Sequence, residues 1–482
     1  MYLKGLNVQF ISYSFLLIVI IAGCIDSDAP NSPATTTDGP SANYVCQDCN
    51  LLLITLDTVR ADHLGLYGYG QNTTPFLDKK SQDGVVFNTA ITVISQTGPS
   101  HMSIFTGLYP KTHGLLDNNW IANQSLLLLP EILKEHGYTN AGFPSCFVVD
   151  DNRGFNQGFD YFDTDYGDPK YRSRRDANYV YASFSKWLDN NTAGKYFAWV
   201  HFYDVHRDYS APEEFNNRFE SRVVSKPGSD DVWDVRGYDG EIAYVDYYVG
   251  KIFDDLAAHN QLNKTIVVLV SDHGEGLGDH DYLEHSQRIW DEQLKVPLII
   301  LFPNKTFSGK RIKTPVQTID IAPTIVDALG LSGIYSFQGR TLMPAVVGAG
   351  FPEEYTYSER FHDRNELYNI NRTQMICIRG FGWKYIYNAP GTDELYDLSV
   401  DPDEKDNLID SGGRLTRSKH ELLYSKLIAW DRADRPMIQG IDVSSRIRAE
   451  IKEKMEAKLN YSADAEKLIS NEENLRSLGY LN

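Results

Sequence analysis

The chain runs to 482 residues, enough for at least one large core, and carries a formal net charge of −19 with a pI near 5.1. That balance argues against a nucleic-acid partner, whose phosphates require clustered Lys and Arg. Cysteine is sparse, at Cys24, Cys46, Cys49, Cys146 and Cys377.

Residues 1–24 place Lys4 ahead of an apolar run from Phe15 to Ala22 that ends in Gly23-Cys24, the pattern of an export signal. The ending Ile21-Ala22-Gly23-Cys24 resembles a lipoprotein box. It predicts a mature protein on the cell surface, lipid-anchored to the membrane at Cys24. The apolar run is shorter than the ~20 residues that a spanning helix needs. Residues 25–49 begin rich in Asp, Pro, Ser and Thr and read as a flexible tether. Cys46-Gln47-Asp48-Cys49 lacks the second pair of a four-thiolate zinc site, so a local disulfide is expected.

From about residue 50 apolar strand runs alternate with helical segments, which predicts an α/β domain with a largely parallel central sheet flanked by helices over 50–365. Leu51–Leu56 ends at Asp57, Tyr196–Tyr203 leads into Asp204, and Thr265–Val270 leads through Ser271 into Asp272-His273. In open sheets of this kind ligands sit beyond the carboxyl ends of the strands, so these runs deliver acidic and imidazole groups to one rim. Short alternating segments at Met375–Arg379 and Trp383–Tyr387 predict an antiparallel hairpin within a small C-terminal subdomain over 366–482. Ile447, Ile451, Met455 and Leu459 recur every four residues, as on an amphipathic helix.

Asp57, Thr97, Asp272 and His273 form the strongest chemical set. Carboxylates at adjacent strand ends can converge on a divalent cation without long stems, and such a cation tolerates imidazole. Thr97-Gly98-Pro99-Ser100-His101-Met102 reads as a helix start, and Thr97 as a nucleophile favoured by the helix dipole and by metal coordination. The alternative is that Thr97 simply caps the helix. Asp204 and His206 stand two apart at a strand end and, if the strand continues, share a face.

The segments Asp57–Gly65, Thr97–Gly107 and Ser271–Glu275, in that order, resemble the sulfatase family of the alkaline-phosphatase superfamily. The resemblance extends over about residues 50–410, with a short match at Leu475–Leu481. It implies an alkaline-phosphatase-like fold and a metal held by Asp57, Thr97, Asp272 and His273, with Asp204 a further candidate ligand. It also implies substrate contacts from His206, within the His201–His206 run, and from His285, which together could hold the ester or a second metal. The chain departs from the family pattern at decisive places. Thr97 stands where a Cys or Ser would mature to formylglycine, His101 takes over the place of an Arg near the nucleophile and so becomes a catalytic candidate, and Asp57-Thr58 has one acidic ligand where two are usual. A Gly-Lys-x-His element that grips sulfate is absent from Thr139–Phe147.

One carboxylate fewer and one imidazole more shift the donor set toward nitrogen. Among one or two divalent ions, zinc or manganese is favoured over calcium or magnesium. Thr97 cannot become the aldehyde hydrate that releases sulfate by elimination, whereas a phospho-Thr can be opened by in-line attack. The expected activity is metal-dependent hydrolysis or transfer of an anionic ester, phosphate rather than sulfate. An arylsulfatase-like activity and a non-catalytic surface lipoprotein are the alternatives.

Overall fold

The run Asn50–Leu56 forms β1 at the centre of an eight-stranded sheet, and every one of its residues is buried. The structure is a computed structural model describing residues 44–166, 174–228, 230, 232–331, 333–361, 373–388, 391–433 and 441–442. The expected export signal, Cys24, the expected tether up to residue 43, the helix expected at 447–459 and the match at 475–481 lie outside the described residues. Residues 44–49 of that expected tether are instead folded onto the core, with Cys46 N–H bonded to Ala328 O (2.9 Å) and Cys49 buried. No helix among the described residues is long and apolar enough to cross a membrane.

The remaining strands of the sheet are β2 (Val85–Phe87), β3 (Thr139–Phe143), β4 (Tyr161–Phe162), β5 (Tyr196–Phe202), β6 (Thr265–Ser271), β7 (Leu298–Leu301) and β8 (Lys310–Ile312). Their spatial order is β8-β2-β7-β6-β1-β5-β3-β4. β7 is antiparallel to both neighbours, and every other pairing in the sheet is parallel.

Side chains alternate across a strand, so the continuous apolar runs of β1 and β5 feed two cores at once. Leu51, Leu53, Phe197 and Trp199 pack on one face against Met102, Ile104 and Phe105 of α1 (Thr97–Thr106). Leu52, Ile54, Leu56, Ala198 and Val200 pack on the other. Their partners there include Val180 and Phe184 of α2 (Ala177–Leu188) and Val245, Val249 and Ile252 of α3 (Val235–Ala258).

The predicted hairpin is present and belongs to a four-stranded antiparallel sheet. Its strands are β9 (Thr356–Phe361), β10 (Thr373–Gly380), β11 (Trp383–Asn388) and β12 (Glu394–Asp397). β9 lies before the expected boundary at 366. The sheet is covered by Leu423, Leu427 and Trp430 of α4 (Arg414–Arg432), and it packs on Val93, Ile94, Tyr109 and Ile319 of the larger domain. Cys46 and Cys49 form the expected local disulfide.

Candidate active site

Asp57 leaves the end of β1 with its N–H bonded to Phe202 O of β5 (2.8 Å), and Asp272 leaves β6 with its N–H bonded to Leu56 O (3.1 Å). Sheet register therefore sets the two carboxylates side by side. The next residue, Thr58, takes a left-handed backbone with φ of 56°, a conformation costly for a β-branched residue. Two bonds hold it there, from Thr58 N to Asp272 Oδ1 (3.2 Å) and from Thr58 Oγ1 to Val205 O (2.9 Å). The hydroxyl at this position thus ties β1 to the loop after β5.

Helix α1 begins at Thr97, with Gln96 at the cap position, so Thr97 is the first helical residue and does not cap. Its hydroxyl oxygen lies 3.3 Å from His273 Nε2. His273 Nδ1 is 2.9 Å from Gly274 O, a carbonyl that can only accept, so the ring proton sits there and Nε2 presents a lone pair. Ser100 Oγ donates to Asp272 O (2.7 Å) and Ser271 Oγ to His273 O (2.7 Å), which fixes the loop after β6 to the start of α1.

The donor set fits a divalent cation. Asp57, Asp272 and His273 are fully buried and offer ligand atoms all within 4.8 Å of one another. Both oxygens of Asp57 and Oδ2 of Asp272 are buried without a hydrogen-bond partner, an expensive arrangement for carboxylates unless a counter-charge lies between them. His273 Nε2 is 3.5 Å from Asp272 Oδ2. That is long for a hydrogen bond but near the ~3.3 Å that separates two donors on one tetrahedral ion.

The proton affinities carry the same strain. Burial raises the Asp57 carboxyl well above the usual carboxylate range, and the charges of Asp272 and Glu275 add to this. Burial pushes Asp272 up to about 7 against the N–H groups of His273 and Thr58. Burial, then the charge of His285, holds His273 well below the ordinary imidazole value, so it stays neutral.

His101 is also fully buried. Its Nδ1–H donates to Thr97 O (2.8 Å), Nε2 faces Thr55 Oγ1 (3.0 Å), and burial pushes it down to about 4. It therefore enters as a neutral ring that clamps the first turn of α1, a different task from that of a charged guanidinium. His206 stacks on Tyr203 (4.4 Å) with its Nδ1–H bonded to Arg207 O (2.7 Å), and burial and His285 push it down to about 3. His285 stands between the rings of His273 (4.5 Å) and His206 (5.0 Å), with Nδ1 3.1 Å from Glu275 Oε1. Burial works against its protonation, but Glu275 outweighs that and its affinity for a proton is raised.

Asp204 does not join the set. The chain leaves the strand at Phe202 and turns, with His206 N bonded to Tyr203 O (3.0 Å), so strand alternation no longer applies. The carboxylate instead accepts from Ala177 N (2.7 Å) at the start of α2. His206 alone of that pair reaches the candidate site.

Sequence reasoning missed His201 and Cys146. Both are fully buried, and with Asp57 they form a second group of possible ligand atoms within 4.8 Å. His201 pairs with Thr55 in the β1–β5 register, on the face that carries Trp199 and α1. Its odd-numbered place in that strand is a signal that could have been read.

An α/β sheet that delivers paired carboxylates, an imidazole and a helix-borne hydroxyl to one rim defines an enzyme class, the metal-dependent ester hydrolases. The sulfatase family profile matches residues 49–331, and a profile for the C-terminal part of N-sulphoglucosamine sulphohydrolase matches residues 278–446. The chain belongs to the sulfatase family. A sulfatase of Formosa agariphila is 24% identical over 486 residues, spanning 83% of this chain and 91% of the relative. An ulvan-active sulfatase of the same organism is 25% identical over 75% of this chain and 77% of its own length. A solved structure of the phosphonate monoester hydrolase of Agrobacterium radiobacter superposes with a TM-score of 0.67 at 23% identity, covering 80% of this chain and 96% of that one.

Proposed function

We propose that the protein hydrolyses or transfers phosphate esters or diesters through Thr97. The family fold hosts more than one ester chemistry, so the fold does not choose between sulfate and phosphate. Two things support the choice: the Thr97 hydroxyl lies 3.3 Å from His273 Nε2 of the Asp57, Asp272 and His273 cluster, and the sequence resemblance sets Thr97 at the position where family members carry a residue able to become an aldehyde. Sulfate release by elimination needs that aldehyde, and an attached phosphate does not.

A bound divalent ion, zinc or manganese by the donor set, supplies Lewis acidity to the hydroxyl and to the ester oxygens. Asp57, Asp272 and His273 would hold it. Thr97 Oγ1 attacks phosphorus as its proton passes to solvent, and the leaving alcohol departs with a proton from His285, whose proton affinity Glu275 raises. The incoming water or acceptor alcohol, held by the neutral Nε2 of His206, then gives its proton to the now neutral His285 and displaces Thr97, whose oxygen takes a proton back from solvent. Export and lipid attachment at Cys24 belong to the same reading, supported by Lys4, the apolar run and Ile21-Ala22-Gly23-Cys24.

A matched panel of one aryl alcohol as sulfate, phosphate monoester and phosphate diester tests the choice. Phosphate-ester turnover at least about tenfold faster than sulfate, equivalent to ~1.4 kcal/mol of barrier, is expected. Sulfate turnover faster than both phosphates would replace the reading with sulfuric ester hydrolysis, which family membership favours.

A further inference from the structure

On the reading of Asp57 as a cation ligand, we infer that Asp57 is shared by two ions, the second a soft divalent cation such as zinc bound by Cys146 and His201. Three observations carry this. Asp57, Cys146 and His201 each offer a ligand atom within 4.8 Å of the others, and all three are fully buried. Both Asp57 oxygens and His201 Nε2 are buried without a hydrogen-bond partner, which leaves them free to bind an ion. The His201 Nε2 to Asp57 Oδ2 separation is 3.5 Å, again longer than a good hydrogen bond and close to the ~3.3 Å between donors on a tetrahedral ion.

The donor types separate the two ions. Asp272, Thr97 and His273 give the first one mainly oxygen, whereas Cys146 and His201 give the second sulfur and nitrogen, a set that selects zinc over magnesium or calcium. Loading the second ion releases the Cys146 thiol proton to solvent as the sulfur–metal bond forms. On His201, Nδ1 faces Ser145 Oγ at 3.2 Å and Ser145 N at 3.4 Å. The Ser145 N–H points at Nδ1, so binding at Nε2 requires the ring proton to move to Nδ1, where the Ser145 hydroxyl accepts it and the long N–H contact is given up. Cys146 sits after β3 and His201 within β5, so the site is built on paired strands. Three protein donors leave one tetrahedral position open, as catalytic zinc sites do.

The test is cobalt(II) loading of the purified full-length chain, read by near-ultraviolet absorption and by metal analysis. The proposal expects roughly two ions per chain and a thiolate-to-cobalt charge-transfer band. Cys146→Ser should remove the band and one ion, and His201→Ala should lower affinity for that ion alone. Asp272→Asn should remove the other ion and leave the band, so failure of the first site is distinguishable from failure of the second. A single ion per chain with no thiolate band in the unmutated protein would overturn the proposal. So would a band that persists in Cys146→Ser, which would assign the sulfur to another cysteine.

Discussion

The hydroxyl oxygen of Thr97 stands 3.3 Å from His273 Nε2, although the two residues come from a helix start and a strand end far apart in the chain. Buried bonds on both sides hold that separation. His101 Nδ1–H ties the Thr97 carbonyl, Ser100 Oγ ties the main chain of Asp272, and Gly274 O fixes the His273 tautomer. Those bonds fix the oxygen of the proposed nucleophile in place, and fixing it is the costly part of catalysis by proximity.

Thr97→Ala should lower kcat on an aryl phosphodiester by about three orders of magnitude or more while metal content stays unchanged, since Asp57, Asp272 and His273 remain. Thr97→Ser keeps the oxygen and should retain a measurable fraction. Steady-state rates with metal analysis of the same samples check both. Full activity in the alanine variant would remove Thr97 from the chemistry.

Stripping the ion should leave a protein whose stability falls as pH rises. The folded-state value of Asp272 is about 7, against about 3.9 for an unfolded aspartate. Between those values the native state holds a proton that the unfolded chain has released, so stability declines as pH climbs through the window. Asp204 and Glu241, raised to about 7 and about 8, add a slope of the same sign that no ion in the candidate site relieves. The comparison is therefore between stripped and loaded protein, melted at about pH 5 and about pH 8. The stripped sample should lose more Tm across that interval, and equal losses would mean that no ion neutralises Asp272.

Much of this site was legible in the sequence because its members end apolar strand runs. Asp57 and Asp272-His273 follow runs buried on both faces, and a parallel sheet brings such ends together. Asp204 misled because its placement assumed that the strand continued, and the turn after Phe202 was not legible in the residues themselves. Cys146 was illegible for another reason, since its proximity to Asp57 depends on how far the chain runs after β3 before turning. The left-handed Thr58 also ran against local preference, because a long-range bond to Val205 O holds it. β9 entered the small sheet ahead of the expected boundary through long-range pairing with β10.

Gly274→Ala should cripple the enzyme without touching a ligand. A Cβ there would collide with the Glu292 carbonyl oxygen, a main-chain atom with little room to move. Relief requires shifting the loop that carries His273, so both stability and metal affinity should fall, by about 1–3 kcal/mol in stability. Thermal melting and metal titration of the variant read the two effects, and an unchanged affinity would show that the loop yields elsewhere.

Lys384 fastens the small sheet to the larger domain. Its fully buried ammonium lies 2.8 Å from Asp291 and 2.6 Å from Glu404. Replacing one partner of a buried ion network strands the others, so Lys384→Met should cost about 3–5 kcal/mol. Urea unfolding measures it, and a loss below ~1 kcal/mol would mean that water reaches the carboxylates.

His285→Gln distinguishes an acid that acts on the leaving group from a residue that merely fills space. Burial disfavours the charged ring, yet the Glu275 carboxylate 3.1 Å from Nδ1 raises its proton affinity above the ordinary value. Activity that depends on the imidazolium is present below that raised value and lost as pH rises through it. The variant should lose about 10²–10⁴ in kcat for an alkyl ester, whose alkoxide needs a proton, and much less for a nitrophenyl ester, whose phenolate leaves unaided. It should also lack the basic limb of the pH profile. Equal losses on the two esters, with the basic limb intact, would assign His285 to packing against His273 and His206 and move the proton donor elsewhere.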